Sequence, residues 1–356
     1  MPASPSFVAA VAACFMFAAH CAAHAADPAV RIPLVVGLTT TASVTDGRDY
    51  ETIVRRTEVG AKGYRIIMSA ELPNPAGSGT STFDMPRRVP IEDQRNARTV
   101  RVSVWTNDPE VFPGTTPDAS AVIVEDLRAR GTAELNVLAV EFRNNLPIER
   151  LLKGQVTPVR TGTEAFVVPV NGRRLSLPVW HVKGRFSASK GTEEMEFHIL
   201  DDPDNPLLLA IRQFKPGGLT VRTTRIEFPP PPGSKDSIES KLVDKEPADV
   251  YGIYFAFGSD VLRAESDLVL QQVADVMKKH PDWKLQLDGH TDNVGGAANL
   301  DLSRRRAAAV KAALVQRFAI SSGRLESGGF GAGRPKDTND TVEGRALNRR
   351  VELRRL

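Results

Sequence analysis

Between residues 26 and 228 apolar and polar positions alternate in short runs, the period of strands with one buried face. Tyr64–Leu72, Arg98–Thr106, Glu194–Leu200 and Leu219–Phe228 are such runs, β-branched or alternating and bounded by Gly, Pro or Asp. Val167–Val179 holds Asn171-Gly172 between two runs, the pair favoured in a two-residue hairpin turn. Asp201–Pro206 predicts another tight turn, and Ser120–Arg130 a helix capped by Ser120. The pattern changes at Pro229–Pro232, which stay extended and space one unit from the next. Residues 229–249 read as a Pro-rich linker, with Ser237–Val250 a short polar helix or a continuation of it.

Beyond the linker, periods of two and 3.6 take turns. Val250–Phe257 predicts a strand. Ala264–His280 predicts an amphipathic helix, with Val269, Val273 and Val276 at helical spacing and lysines in its last turn. Trp283–Gly289 predicts a strand that turns Trp283, Leu285 and Leu287 inward. Asn299–Phe318 is a second helix, and Arg324–Gly331 and Asn348–Leu356 are two more strands. The order β-α-β-α-β-β implies an α+β layer over residues 250–356, preceded by a mostly β soluble domain over residues 26–228.

Residues 1–25 read as a secretory signal peptide, from the uncharged apolar run Phe7–Ala19 and the small residues at Ala23–Ala25. No Lys or Arg precedes the run, so an uncleaved anchor is the alternative. Both cysteines, Cys14 and Cys21, lie in this leader, which leaves the remainder without disulfide or thiol chemistry. Val11–Cys14 faintly resembles a lipoprotein cleavage box, but apolar residues follow it. A net charge of +3 without a concentrated basic patch argues against a nucleic-acid partner. Aromatics at 6% argue against the girdles of a transmembrane barrel. Asp201, Asp202 and Asp204 lack the Gly and distal Glu of a calcium loop.

The candidate chemistry lies between the last two helical segments. Arg304, Arg305 and Arg306 are consecutive, so they point in different directions on a helix. Arg306 falls in the apolar stripe of Leu302, Val310, Ala313 and Leu314, while Arg305 follows Asp301 at pairing distance. A guanidinium at a core edge needs a counter-charge or a bound anion, unless its stem covers apolar surface and its head reaches water. Asp292 follows the strand end at Gly289 and is either a ligand group or a turn aspartate bonding its own backbone. On pattern alone the plainer alternative leads for both. Asn299 is expected to cap the arginine helix, and Gly295 and Gly296 to let the backbone turn tightly.

The stretch Gly289–Ala307, GHTDNVG followed by Asn299 and LSRRRA, with Asn348–Leu353 (NRRVEL), resembles the OmpA-like C-terminal domain, a peptidoglycan-binding module. The resemblance covers about Val250–Leu356 and implies that Asp292 and Arg306 hold the diaminopimelate side chain of the wall's stem peptide. Arg306 would take its free carboxylate in a bidentate fork and Asp292 its ammonium. Thr291, Asn299, Gly258, Ser259 and Arg349 are ancillary candidates. Ala256 and Gly258 stand where relatives often place Asp or Asn, and Arg349 is expected on a strand face with Val351 and Leu353 as a structural ion pair. The resemblance implies a non-catalytic tether in the periplasm, bound to the cell wall or outer membrane, with no cofactor and with a partner in the outer membrane as an option.

The rival class is a metal-dependent hydrolase using Asp288, His290 and Asp292. Metal sites need three or four ligands, and of six histidines, two in the leader, no distant cluster completes this one. A flagellar stator subunit carries a similar module, but needs a membrane helix with a proton-carrying acid, and Phe7–Ala19 has none.

Overall fold

The computed structural model describes residues 31–356 apart from residues 48, 74–79, 103–108, 144–145, 189–190, 232 and 257. The signal-peptide and lipidation expectations for residues 1–25 lie outside the described residues. No described helix is long and apolar enough to cross a membrane.

Among the described residues the N-terminal part forms one thirteen-stranded, largely antiparallel sheet. It runs from Thr80–Pro90 back through Gly63–Pro73 and Asp49–Gly60 to Thr39–Thr45, which pairs with the late strand Thr220–Glu227. From there it continues through Leu208–Gln213, Gly191–Leu200, Arg173–Ala188 and Leu146–Pro158 to Ala133–Arg143. The Asn171-Gly172 hairpin forms between Glu164–Val170 and Arg173–Ala188, with both turn residues at positive φ, 46° and 77°. Ala121–Arg130 is a helix, but the Ser120 hydroxyl donates to the Ala97 carbonyl instead of capping it. Of the expected strand Arg98–Thr106 only Thr99–Arg101 is a strand; residues 103–108 are not described.

The second sheet has four strands in the order Ala248–Val250, Val351–Arg355, Leu285–His290, Leu325–Gly331. Its inward Leu285, Leu287 and Leu353 share one core with Leu270, Val273 and Met277 of helix Asp267–Lys279 and with Val310 and Leu314 of helix Ala298–Phe318. Apolar spacing of 3.6 on the helices and of two on the strands meets in that layer.

Three expectations change here. The linker expected over residues 229–249 ends earlier: of the two alternatives for Ser237–Val250 the short helix forms, Ile238–Val243, capped by the Ser237 hydroxyl, and Leu242 and Ala248 are buried in the second core. Val250–Phe257 is not a strand beyond Val250; the following chain is buried but unpaired up to a single bridge between Phe255 and Leu262. Its aromatic side chains are used in packing against the first sheet: the Tyr254 hydroxyl donates to Glu227 at 2.8 Å. Residues 348–349 are not strand either, because Val342–Asn348 forms a helix and the strand starts at Val351.

The two sheets meet through charged contacts. Arg225 is buried, with its guanidinium 5.5 Å from the Tyr254 ring and Nη1 donating to the Ala346 carbonyl at 3.2 Å. Arg222 donates to Glu343 at 2.7 Å, and Arg174 to Asp337 and Thr341.

One close approach fixes the position of helix Ala298–Phe318. A Cβ on Gly289 would lie 2.3 Å from the Ser303 carbonyl oxygen, and one on Gly329 would lie 2.4 Å from the Arg304 nitrogen. Helix and strand backbones therefore touch where only glycine fits. Gly289→Ala is expected to lower stability by about 1–3 kcal/mol or more through overpacking. Gly323→Ala, with open space around its Cβ, should stay within roughly 0.5 kcal/mol of wild type. Urea unfolding of both variants checks this; equal stability would mean that the helix shifts freely.

Candidate functional site

The strand Leu285–His290 ends at a loop that carries Thr291 and Asp292 and re-enters the arginine helix at Ala298. Gly295 and Gly296 have φ of 102° and 62°, so the tight turn needs residues without a Cβ. Asn299 is not the cap, since the helix begins one residue before it. Its side-chain amide instead donates back to the carbonyls of Asp292 and Val294, at 3.0 and 2.9 Å, and holds the loop to the first turn. An amide inside the helix can reach two loop carbonyls, which a capping position would not allow.

Asp292 is buried. Its Oδ1 accepts from the Val294 nitrogen at 3.0 Å, the turn bond expected of such an aspartate. Its Oδ2 accepts from Arg349 Nη1 at 2.8 Å. Arg349 is not on a strand face but at the end of helix Val342–Asn348, from where its other nitrogen donates to Glu51 of the first sheet at 2.6 Å. The ion pair expected of Arg349 thus forms with Asp292 itself.

The three arginines of the helix separate as their angular spacing requires. Arg304 is exposed. Arg305 donates to Asp301 at 2.9 Å and to Asp260 at 2.7 Å. Arg306 is half-buried, donates through Nε to the Ser259 carbonyl at 2.9 Å, and lays its guanidinium 4.8 Å from the centre of the Phe255 ring. Burial, reinforced by nearby Arg349, lowers its pKa, and Asp292 acts in the opposite direction. Among the described residues no carboxylate forms an ion pair with Arg306. Asp292 and Arg306 therefore feel each other's charge without being bonded.

The ancillary candidates divide. Ser259 contributes its carbonyl to Arg306, and Gly258 supplies the positive φ, 62°, of the same turn while remaining exposed. Thr291 is buried, and its hydroxyl has no hydrogen-bond partner among the described residues. Asn348 organises the facing loop and was not singled out from the sequence. Fully buried, it accepts from the nitrogens of Lys336 and Asp337 and donates to Asn339, which in turn accepts from the Asn293 nitrogen. An asparagine ahead of a charged strand gives no periodic signal that could have revealed this.

The metal alternative at Asp288, His290 and Asp292 does not assemble. Asp288 accepts from Arg354 and Gln286, Asp292 is held by Arg349, and His290 is buried with both ring nitrogens lacking a hydrogen bond. Among the described residues the only convergent group of metal-ligating side chains lies elsewhere, in the first sheet.

Residues 254–349 match the model of the OmpA family. They are an OmpA family domain. Outer membrane porin F of Pseudomonas aeruginosa is 42% identical over 101 residues, which are 28% of this chain and 29% of that protein. The peptidoglycan-binding protein ArfA of Mycobacterium tuberculosis is 39% identical over 108 residues, 29% of this chain and 32% of its own length. The crystal structure of the peptidoglycan-associated lipoprotein from Burkholderia pseudomallei has 30% identity over 29% of this chain and 88% of that one, with a TM-score of 0.27. The match spans less than a third of the length of the porin and of ArfA, and residues 31–253 lie outside the OmpA family match.

Next to the OmpA family domain's loop, burial and then Arg350 push the His290 imidazole down to about 4. In the unfolded chain a histidine titrates near about 6.5. The unfolded state therefore binds the extra proton between these values, and stability falls as pH drops from about 6.5 towards 4. His290→Gln is expected to reduce the acid loss by roughly 2–3 kcal/mol between about pH 7 and 4.5. Urea unfolding at the two pH values measures it; equal losses in both proteins would place the acid sensitivity on other groups.

Proposed function

We propose that residues 250–356 bind peptidoglycan without catalysing a reaction and tether the β-rich segment to the wall of the cell envelope. The bound group is the far end of the diaminopimelate side chain, which carries both an ammonium and a carboxylate. Arg306 takes the carboxylate through its two terminal nitrogens, a planar fork matched to that anion. Asp292 takes the ammonium, with Arg349 behind it fixing the carboxylate's orientation.

One observation carries this: a half-buried guanidinium that, among the described residues, hydrogen-bonds one backbone carbonyl, lies over an aromatic ring and forms no ion pair. Removing such a charge from water without a counter-ion is unfavourable by several kcal/mol when burial is complete, and an anionic ligand supplies the missing partner. The aspartate held next to it explains why the anion should also carry a cation. The name of ArfA, a peptidoglycan-binding protein, supports the same class of ligand. Outer membrane porin F, a relative of the domain, is an outer-membrane protein by name, which supports a site of action in the cell envelope. An outer-membrane partner for the β-rich segment is part of the proposal and not of the geometry.

The full chain is expected to co-sediment with diaminopimelate-type sacculi. Arg306→Ala and Asp292→Asn should each weaken retention at least tenfold, about 1.4 kcal/mol. Sacculi with lysine in place of diaminopimelate lack the carboxylate and leave Arg306 unpaired, so wild-type protein should stay in the supernatant. Undiminished retention of both variants would refute the site.

A further inference from the structure

Three adjoining strands of the thirteen-stranded sheet bring together side chains that no part of the wall-binding proposal uses. His181 and His198 are directly opposite in the register between Arg173–Ala188 and Gly191–Leu200. Their rings stack, with centroids 4.2 Å apart and planes within 13°. Glu164 enters from the strand on the hairpin side, opposite Val179. Its Oε1 lies 3.0 Å from His181 Nδ1 and 3.6 Å from His198 Nε2, and one ligand atom from each residue lies within 4.8 Å of the others. Glu196, two residues before His198 on the same face, has Oε2 3.6 Å from His181 Nε2, a buried nitrogen with no hydrogen bond.

We propose that Glu164, His181 and His198 form a binding site for a divalent transition cation of the zinc type, with Glu196 behind His181 as the outer carboxylate. A tetrahedral zinc ion with bonds of about 2.0–2.1 Å needs ligand atoms about 3.3 Å apart. The two separations to Glu164 lie on either side of that figure, and all three ligand atoms lie within 4.8 Å of one another, so side-chain rotation would close the site. Two imidazoles and one carboxylate select borderline metals over calcium or magnesium, which prefer all-oxygen sites. A carboxylate on the second nitrogen of a ligating histidine fixes the ring and strengthens it as a donor.

The surroundings of His198 fit a ligating ring. Burial, then His181 and Arg222, push the His198 imidazole down to about 4, which leaves a lone pair free at neutral pH. Phe166 packs against His198 at 5.5 Å and also lies under the Arg222 guanidinium, whose Nε bonds Glu343 of the OmpA family domain. The side chains of His181, His198 and Glu164 are 18%, 23% and 31% exposed. Solvent therefore reaches the fourth position, and three protein ligands leave it open to water or to a donor group of a partner.

The stacked rings have a plainer explanation in an ion pair of protonated His181 with Glu164 and Glu196, and the experiment separates the two. Full-length protein carrying no polyhistidine tag is stripped with a chelator and titrated with Zn2+ by calorimetry and with Co2+ by visible absorption. One equivalent of each is expected to bind, with Co2+ giving ligand-field bands of a low-coordinate nitrogen and oxygen site. Glu164→Gln and His198→Gln should each lower zinc affinity at least tenfold, while His290→Gln should leave it unchanged. Should the histidine variant misfold, wild-type protein gives an independent result: Zn2+ should protect His181 and His198 from diethyl pyrocarbonate. Zinc uptake equal in wild type and Glu164→Gln, or equal modification of both histidines with and without Zn2+, overturns the proposal and leaves the ion pair.

Discussion

The backbone of Ser303 rests against Gly289 and Gly329, and this contact sets the place and rotation of the arginine helix. A helix that touches two strands at backbone distance cannot roll, because any rotation brings a side chain into space that holds only hydrogen atoms. The rotation decides the fate of three consecutive identical residues. Arg304 faces solvent, Arg305 forms surface ion pairs, and Arg306 is turned towards the loop of Asp292. Chemistry that distinguishes three equal side chains therefore begins with two glycines that have no chemistry of their own.

From that placement follows an asymmetric charge arrangement. Asp292 is held by Arg349 and by its own turn, so the orientation of its carboxylate is fixed. Among the described residues Arg306 meets a carbonyl and an aromatic ring and no carboxylate at ion-pair distance. Arg349 is engaged by two carboxylates, Asp292 and Glu51, while Arg306 is in no ion pair among the described residues and is the group an added anion would meet. Glu51 reaches the same cluster from the first sheet through Arg349. The Asp292 loop and the β-rich segment thus share one chain of ion pairs, Glu51 to Arg349 to Asp292. Elsewhere the two sheets are joined by the Arg222–Glu343 ion pair and by hydrogen bonds from Arg225 to the Ala346 carbonyl and from Tyr254 to Glu227.

Much of this was legible beforehand, and the misses have identifiable causes. The helices after the linker and the strands Leu285–His290 and Leu325–Gly331 announced themselves through apolar periods that one core satisfies together. Arg306 stood out as a charge within an apolar stripe and Asp292 as a carboxylate just past a strand end, but the pattern alone favoured plainer roles for both, and the resemblance to the OmpA-like domain is what joined them as a candidate site. Val250–Phe257 misled because burial by packing and burial in a sheet give the same apolar run. Asn299 looked like a cap because asparagine favours that position, yet two loop carbonyls outbid it. Ser237–Val250 left helix and linker both open because a six-residue helix has too few positions to show a period.

What the sequence determined by itself was local: element types with their inward faces, the hairpin at Asn171-Gly172, and the residues of the OmpA family motif. Each depends on neighbours a few positions away, where backbone sterics and side-chain period act directly. What only the tertiary structure decided was every pairing across distance. Arg349 meets Asp292 and Glu51, and His181 meets His198 and Glu164, because strand register and helix docking bring them together. A one-residue slip in either would turn the same side chains to the opposite face, and nothing in the spacing of four scattered histidines records which register the folded sheet adopts.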